Sequence, residues 1–308
     1  MTDPQASPRP PVSTARPHWG AEALWQALVP LLPGLSIEVV QTLGSTNSEL
    51  TDRLRNASRT QGGRRGGDLS PQLLVAINQT AGRGRLGRHW HSTPGSSLTF
   101  SLALPLQRSD WSGLSLAVGL AVVEALDPQG RRLGLKWPND LMLHHADEVH
   151  NDTAGVEAGA DSAPDKSPRM GRKLGGILIE SVAAGDQRAA VIGIGVNVEP
   201  QPAAEADYEI AALTEIWPEA TPQDALARIG VPLVQALLAF ERDGFAPLQD
   251  AYARRDVLRG QRVKTTDAAM PEGVADGVDG DGALKVTSGG QTRRVVSGEV
   301  SVRLAGPL

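Results

Sequence analysis

One nine-residue segment limits how the surrounding chain can fold. Residues 82–90 read Gly-Arg-Gly-Arg-Leu-Gly-Arg-His-Trp, which leaves Leu86 and Trp90 as the residues able to join an apolar core. Glycine lets the backbone come close to a ligand, and each guanidinium presents a fork of donors that matches carboxylate or phosphate oxygens. The segment therefore predicts a loop that closes over an anion. A solvated basic loop, or an arginine–glycine segment that binds nucleic acid without sequence preference, explains the composition equally well.

A second polar segment interrupts an apolar stretch. Residues 136–140 read Lys-Trp-Pro-Asn-Asp and lie between Leu-Gly-Leu at 133–135 and Leu-Met-Leu at 141–143. The flanking residues predict one buried strand, yet proline removes a ladder hydrogen bond and charged side chains are costly in a core. A strand interrupted in this way predicts polar groups presented to a site. An edge-strand bulge with exposed polar groups is the alternative.

Composition sets limits on the class of protein. The 308 residues suffice for a sizeable core and more than one domain. A net charge of −5 disfavours nucleic acid as the main partner. The chain has no cysteine, which excludes disulfides, a thiolate nucleophile and a cysteine zinc site, and which suits a reducing cytoplasm. We expect no membrane span and no signal peptide, because no apolar run is long enough.

Shifts in composition predict three parts of the chain. Residues 1–34 are expected to be a disordered tail, rich in Pro, Ser, Ala and Thr, followed by a short helix. Residues 35–258 form a central domain and residues 259–308 a small C-terminal one. Within the central domain, residues 144–172 predict a flexible insertion and residues 61–68 a flexible loop.

Hydrophobic patterning predicts an alternation of strands and helices in the central domain. Strands are expected at 36–40, 73–77, 98–104, 175–181 and 190–198. Helices are expected from Asn47 onward and at 114–126, 223–242 and 247–258, with the helix at 223–242 kinked or restarted near Pro232. From Gly260 onward, short strands separated by Gly-Asp turns predict a small β-barrel.

Four motifs in order resemble those of the biotin protein ligase family. They are Gly-Ser-Thr-Asn at 44–47, the two segments above, and Lys-Leu-Gly-Gly-Ile-Leu-Ile-Glu at 173–180; Gly-Ile-Gly-Val-Asn at 193–197 adds a fifth. Each motif alone is only suggestive, whereas the ordered set is specific. The resemblance covers roughly residues 36–304. It implies an α+β fold: a mixed β-sheet catalytic domain flanked by helices, similar to class II synthetases, and a small C-terminal SH3-like β-barrel.

The resemblance also implies a two-step reaction. The carboxylate of biotin attacks the α-phosphate of ATP, with Mg²⁺ present, and gives biotinyl-5'-AMP and pyrophosphate. A lysine amine of a biotin carboxyl carrier protein or domain then attacks the mixed anhydride and expels AMP. Neither step needs a covalent enzyme intermediate, so the lack of cysteine is no obstacle. The reaction needs charge neutralisation, positioning and shelter from water.

Site residues follow from the resemblance, residue by residue. The biotin-binding set is Ser45, Thr46, Asn47, Gln79, Arg83, Gly84, Arg85, Lys173 and Gly176. The ATP-binding set is Arg83, Arg85, Trp90, Lys136, Asn139, Lys173 and Asn197. The catalytic set is Arg85, Lys136, Asp140 and Lys173, with Asp140 also the expected Mg²⁺ ligand. For Ser45 and Thr46 the alternative to biotin binding is helix capping, because serine and threonine are typical N-cap residues.

Other features extend or depart from the family pattern. Leu86 stands where the family has an arginine, while Arg88 remains available. Packing is the more ordinary role for Trp90. Residues 199–212 are expected to fold over adenine, and Trp217 is one candidate to stack on it.

Three other functions compete with biotin ligation. Lipoate ligases share the implied fold, although the Gly-Arg-Gly-Arg run favours biotin. A biotin-sensing repressor needs a DNA-binding helix-turn-helix, and fewer than about 40 residues precede the first strand; we therefore expect a monofunctional enzyme without specific DNA binding. An RNA-binding module is disfavoured by the net charge and by the motifs at Lys136 and Lys173. A homodimer formed along a sheet edge is implied by resemblance alone.

Overall fold

A computed structural model describes residues 19–60, 69–144, 171–184, 187–201, 209–296 and 302–304. The predicted tail at 1–18, the loop at 61–68 and the insertion from 145 to 170 lie outside these residues. No helix in the described ranges is long and apolar enough to cross a membrane.

Seven strands form the larger sheet, in the order β1-β2-β3-β7-β6-β5-β4. They are β1 (Ser36–Leu43), β2 (Gln72–Gln79), β3 (Ser97–Pro105), β4 (Leu133–Lys136), β5 (Asp140–Leu143), β6 (Arg172–Ala184) and β7 (Gln187–Asn197). The β1–β2 pair is parallel and all other neighbours are antiparallel. The mixed sheet predicted for the central domain is therefore confirmed.

Helices cover both faces of this sheet. They are α1 (Ala21–Leu28), α2 (Thr46–Thr60), α3 (Leu114–Leu126), α4 (Pro222–Asp243) and α5 (Gln249–Ala253). Helix α3 is apolar on nearly every side and almost wholly buried, as its sequence predicts. It packs over Ile177 of β6, whereas α2 packs on the opposite face, over Gly193 of β7. The predicted helix at 223–242 is the single helix α4, with Pro232 inside it.

The expectation of one strand through residues 133–143 is wrong. Strands β4 and β5 pair with each other, Lys136 opposite Asp140, and residues 137–139 form the turn of a hairpin. The Trp137–Pro138 peptide bond is cis. The indole of Trp137 is 1% exposed, and its N–H donates to the carbonyl of Gly282, 3.0 Å away. The polar residues are thus tolerated because they lie in a turn or at the strand ends next to it, and not in the middle of a strand.

The predicted helix at 247–258 is also wrong in length. Only Gln249–Ala253 is α-helical, after a short 3-10 turn at Ala246–Leu248. Beyond it the backbone turns to run beside β4, where Leu135 N–H donates to Arg255 O at 2.6 Å and Val257 N–H donates to Leu135 O at 3.0 Å. These tertiary hydrogen bonds replace the helical ones.

The C-terminal residues form a second sheet of five antiparallel strands, in the order β11-β10-β9-β8-β12. The strands are β8 (Arg262–Thr265), β9 (Glu272–Val278), β10 (Leu284–Ser288), β11 (Gln291–Val295) and β12 (Val302–Leu304). The predicted barrel corresponds to this sheet. The domain boundaries at 34/35 and 258/259 stay predictions.

A buried ion pair fixes the outer edge of the larger sheet. Arg255 Nη1 lies 3.1 Å from Asp127 Oδ2 and also donates to the carbonyl of Leu133; both charged side chains are about nine-tenths buried. Burial acts to raise the pKa of Asp127, but the N–H groups of Leu133 and Arg132 outweigh it and the pKa lies below its usual value. The pair therefore ties the end of α3 and the start of β4 to the segment after α5.

We predict that Arg255→Met lowers the free energy of unfolding by about 3–5 kcal/mol, because it leaves the Asp127 carboxylate buried without its counter-charge. Urea or thermal unfolding measures the change. The matched control is Arg242→Met, which removes an exposed pair with Asp243 and is expected to cost less than about 1 kcal/mol. Equal effects of the two substitutions would show that the buried pair does not brace this edge.

Candidate active site

One cavity of about 1060 Å³ opens on the α2 face of the larger sheet. The residues predicted from the sequence as site residues all line it: Ser45, Thr46, Asn47, Gln79, Arg83, Gly84, Arg85, Trp90, Lys136, Asn139, Asp140, Lys173, Gly176 and Asn197. They come from five separate parts of the chain. Their individual roles stay predictions.

Glycines on β7 let two side chains beside this cavity pack closely on the sheet. Gly193 pairs with Leu178 and Ser101 on the flanking strands, and Gly195 pairs with Gly176 and Thr99. A Cβ atom on Gly193 would lie 2.3 Å from Asn47 Oδ1, and one on Gly195 would lie 2.4 Å from the Trp90 ring. Both contacts are too short, so these positions accept only glycine as long as Asn47 and Trp90 keep their places.

A buried hydrogen-bond network forms the polar end of the cavity. The Thr46 backbone N–H donates to Gln79 Oε1 at 2.7 Å. Ser101 Oγ on β3 lies 2.6 Å from both Thr46 Oγ1 and Asn47 Oδ1. Sequence reasoning assigned no role to Ser101; the available signal was the alternation of polar Thr99 and Ser101 with apolar residues along β3. The alternative capping role of Ser45 is weak, since Ser48 N–H lies 3.5 Å from Ser45 Oγ.

The arginine–glycine segment folds as a tight loop beside the cavity. Gly84 N–H donates to Arg88 O at 2.8 Å, and Trp90 N–H donates to Gly82 O at 2.9 Å. At the tip, Leu86 has φ of 57°, in the left-handed region that favours glycine, and is 54% exposed. The ring of Trp90 lies over Gly195, and its buried N–H has no hydrogen-bond partner among the described residues.

The opposite end of the cavity is cationic. Lys173 Nζ lies 2.6 Å from Asp140 Oδ1, and Arg85 Nη1 donates to Asn139 Oδ1 at 3.3 Å. Burial lowers the pKa of Arg85 and of Lys136, and Asp140 opposes both shifts. Several partly buried positive charges facing one carboxylate favour an anionic ligand, because an anion relieves their mutual repulsion.

Arg303 on β12 adds a further cation that sequence reasoning missed. It lines the cavity and lies close enough to Lys136 to contribute to the lowered pKa of that lysine. Position 303 lies within the range 36–304 that resembles the family, but the resemblance assigned no role to this arginine.

The candidate adenine-stacking residue Trp217 is not brought to this cavity. Its ring packs against the Arg228 guanidinium, whose Cζ lies 3.6 Å from the ring centroid. Of the loop expected over adenine, Gln201 and Ile210 line the cavity, and residues 202–208 lie outside the described part of the chain.

The donor set suits a magnesium ion that arrives with a phosphate ligand. No group of three or more metal-ligating side chains occurs in the described residues, and Asp140 is the carboxylate in the described cavity lining. Magnesium is commonly held by one or two carboxylates together with substrate phosphates and waters. The cavity thus fits a phosphate-borne ion and is not a dedicated metal cage.

Comparisons with known proteins give consistent similarities. The model of the Biotin/lipoate A/B protein ligase family matches residues 51–197, and that of the Biotin protein ligase C terminal domain matches residues 260–303. The chain is 30% identical over 275 residues to the biotin–acetyl-CoA-carboxylase ligase of Mycobacterium tuberculosis, covering 86% of this chain and 88% of that protein. It is also 30% identical over 282 residues to the bifunctional ligase/repressor BirA of Escherichia coli. That match covers 89% of this chain and 76% of BirA.

A solved structure supports the same fold. The biotin protein ligase from Aquifex aeolicus in complex with biotin and ATP matches with a TM-score of 0.65 and 24% sequence identity, covering 88% of this chain and 99% of that one. At that identity the likeness shows that the fold is shared.

We predict that Gly195→Ala displaces the Trp90 indole, since the new Cβ would overlap its ring. The expected results are a change in Trp90 fluorescence, obtained by difference from Trp90→Phe, and a stability loss of about 1–3 kcal/mol. The control is Gly280→Ala, whose Cβ would meet its nearest neighbour, the Cβ of Ala246, at 3.7 Å. Unchanged Trp90 emission in Gly195→Ala would contradict the packing described above.

Proposed function

This chain belongs to the biotin protein ligase family, and we propose that it uses ATP to attach biotin to a lysine of a biotin carboxyl carrier protein or domain. The observation that carries the proposal is the single cavity with a polar, glycine-floored end and a cationic end. An acyl carboxylate and a nucleotide phosphate must meet in one place for adenylation, and both ends belong to this one cavity. The curated relatives named above support the same reaction.

The polar end suits the ureido ring of biotin. Gln79 Oε1 is held by Thr46 N–H, which orients the amide of Gln79, and the hydroxyls of Ser45 and Thr46 lie beside it. The bicyclic ring needs space as well as donors, and the missing side chain of Gly176, which lines the cavity, leaves space for it on β6. Biotin is therefore proposed to lie along β6 and β7 with its carboxylate directed toward Lys173.

The cationic end suits the reacting groups. The biotin carboxylate oxygen attacks the α-phosphorus, and the bond from that phosphorus to pyrophosphate breaks. Lys136, Lys173 and Arg85 reduce the repulsion between the two anions, and fixed charges in a partly buried site do so more effectively than water. Asp140 holds the Lys173 ammonium in place through one oxygen, Oδ1, and its other oxygen is proposed as a ligand of the magnesium that accompanies ATP.

The remaining nucleotide contacts are proposed from position. The buried N–H of Trp90 needs an acceptor, and a ligand in the cavity can supply one. Asn197 at the end of β7 lies beside Lys173, with its Nδ2 3.4 Å from the Lys173 carbonyl. In the second step the acceptor lysine attacks the carbonyl of the adenylate and AMP leaves.

The match at residues 260–303 favours biotin over lipoate, because that family model is described as the C-terminal domain of biotin protein ligases. DNA and membranes are not among the proposed partners. A homodimer stays a prediction, with β1 as the strand at one edge of the sheet.

The proposed reaction predicts a burst of pyrophosphate when the chain is mixed with ATP, Mg²⁺ and biotin. The burst should equal about one equivalent per chain, and continued turnover should require an acceptor domain, because the adenylate stays bound until it is consumed. Lipoate and a sample without acid are the controls. Release with lipoate but not with biotin would reassign the substrate, and release with neither would contradict ligase activity.

Two substitutions are predicted to separate the steps. Lys173→Ala should slow the pyrophosphate burst by about 10²–10³-fold, because it removes a charge that stabilises the transition state. Arg85→Gly should instead release the adenylate early and label lysines of bystander proteins. Stopped-flow pyrophosphate detection and mass spectrometry of a bystander protein measure the two effects, and Arg242→Met should match the wild type in both. Identical profiles for Lys173→Ala and Arg85→Gly would contradict this division of roles.

A further inference from the structure

Glu180 on β6 makes contacts that the proposed mechanism does not use. It ends the motif at 173–180, and its side chain is 25% exposed. It lies beside the polar end of the cavity, on the same face of β6 as Leu178 and Gly176. A carboxylate next to a site for two anions is electrostatically unfavourable unless it serves the protein itself.

The two oxygens of Glu180 bind two different elements. Oε1 accepts a hydrogen bond from Arg83 Nη2 at 2.9 Å. Oε2 accepts one from Asn47 Nδ2 at 2.9 Å and a longer one from Arg83 Nη1 at 3.4 Å. Arg83 belongs to the loop at 82–90, and Asn47 belongs to the first turn of α2. One side chain on the sheet thus connects the two elements that border the polar end.

The hydrogen-bond donors of Asn47 are fully used by the protein. Besides Glu180, its Nδ2 donates to the Leu178 carbonyl at 3.1 Å, which accounts for both amide hydrogens. Its Oδ1 accepts from Ser101 Oγ at 2.6 Å. Asn47 therefore acts by filling the space above Gly193 and fixing α2, and not by donating to a ligand.

The charge of Arg83 is likewise compensated inside the protein. Its Nη1 donates to Ser48 Oγ at 3.2 Å and its Nη2 is paired with Glu180. In contrast, the neighbouring Arg85 bonds to Asn139 at the cationic end. The residues that flank Arg83 join the two arms of the loop, because Gly84 N–H donates to Arg88 O and Trp90 N–H donates to Gly82 O. Fixing Arg83 therefore fixes the loop as a unit.

We infer that Glu180 is a positioning residue, which anchors the loop at 82–90 through Arg83 and the start of α2 through Asn47. Arg83 is then the anchor of the loop, and Arg85 is the arginine that retains the adenylate. The inference rests on the proposed function for its effect on catalysis. It assigns Glu180 no contact with biotin or ATP.

The first test is Glu180→Gln, which keeps the size of the side chain but removes its charge and one acceptor oxygen. The release rate of biotinyl-5'-AMP and the KM for biotin should each rise about tenfold, equivalent to about 1.4 kcal/mol. The burst rate at saturating biotin should change less than about twofold, because Lys173, Lys136 and Asp140 are untouched. A general loss of structure would lower the burst rate as well, so the split between KM and rate is the diagnostic result.

The matched control is Glu38→Gln. Glu38 also binds an arginine of α2, with its Oε2 2.7 Å from Arg53 Nη1, but the pair lies on the outer side of the helix, away from the cavity. It should leave adenylate release and KM unchanged. An equal effect of Glu38→Gln would show that any loosening of α2 suffices and would overturn the specific role of Glu180.

A double-mutant cycle tests the anchor directly. If Arg83 acts through Glu180, then Glu180→Gln and Arg83→Gln/Glu180→Gln should release the adenylate at nearly the same rate. If the effects of the two substitutions on the release rate multiply, Arg83 contacts the ligand independently of Glu180. That result would overturn the inference.

Hydrogen exchange provides a readout that does not depend on activity. In the ligand-free protein, Glu180→Gln should speed exchange of the Gly84 and Trp90 amides relative to those of β3, whereas Glu38→Gln should not. Unchanged exchange in Glu180→Gln would overturn the inference even if biotin-dependent pyrophosphate release is normal. Absence of that release in the wild type would instead remove the proposed function, and the exchange result would still decide whether Glu180 anchors the loop.

Discussion

The missing Cβ atoms of Gly193 and Gly195 are the constraint on which the rest of the site depends. β7 is hydrogen-bonded on both sides, by β3 and β6, and such a central strand ordinarily favours β-branched residues. Glycine there weakens the strand, but the two complete ladders hold it in place. The space gained is occupied by Asn47 and Trp90, which bring α2 and the arginine loop down onto the sheet. Cavity shape and loop position thus have one common cause.

The cavity concentrates positive charge. The chain has a net charge of −5, yet its cavity gathers Arg85, Lys136, Lys173 and Arg303 around one carboxylate. Arg83 is removed from this group by Glu180, which lies outside the lining. The cations of this group outnumber its one carboxylate, and burial lowers the pKa of Lys136, so an anion bound among them is favoured. Binding of a carboxylate and a phosphate therefore relieves a repulsion that folding leaves in place.

Much of the fold was predictable, since strands such as β3 and the apolar helix α3 follow from local patterning. The hairpin at 133–143 was not, because two apolar runs around a polar segment look the same whether the chain continues or reverses. The motifs located the predicted site residues because each is contiguous in sequence. The roles of Ser101 and Glu180 were not predicted, because their partners Asn47 and Arg83 lie 54 and 97 residues away in the sequence. Roles made by such distant contacts leave no local pattern.

The turn that carries Lys136 and Asn139 also depends on the second sheet. The Trp137 indole reaches out of this turn to the carbonyl of Gly282, and Gly282 in turn packs directly on Gly113 at the start of α3. Arg303 of β12 enters the cavity from the same sheet. Because Trp137 ties the hairpin to Gly282, and Gly282 packs on the start of α3, the polar side chains of the hairpin keep fixed positions relative to the floor of β7. The C-terminal sheet is thus a structural part of the cationic end, and a displacement of this sheet would move Trp137 and the lysine next to it together.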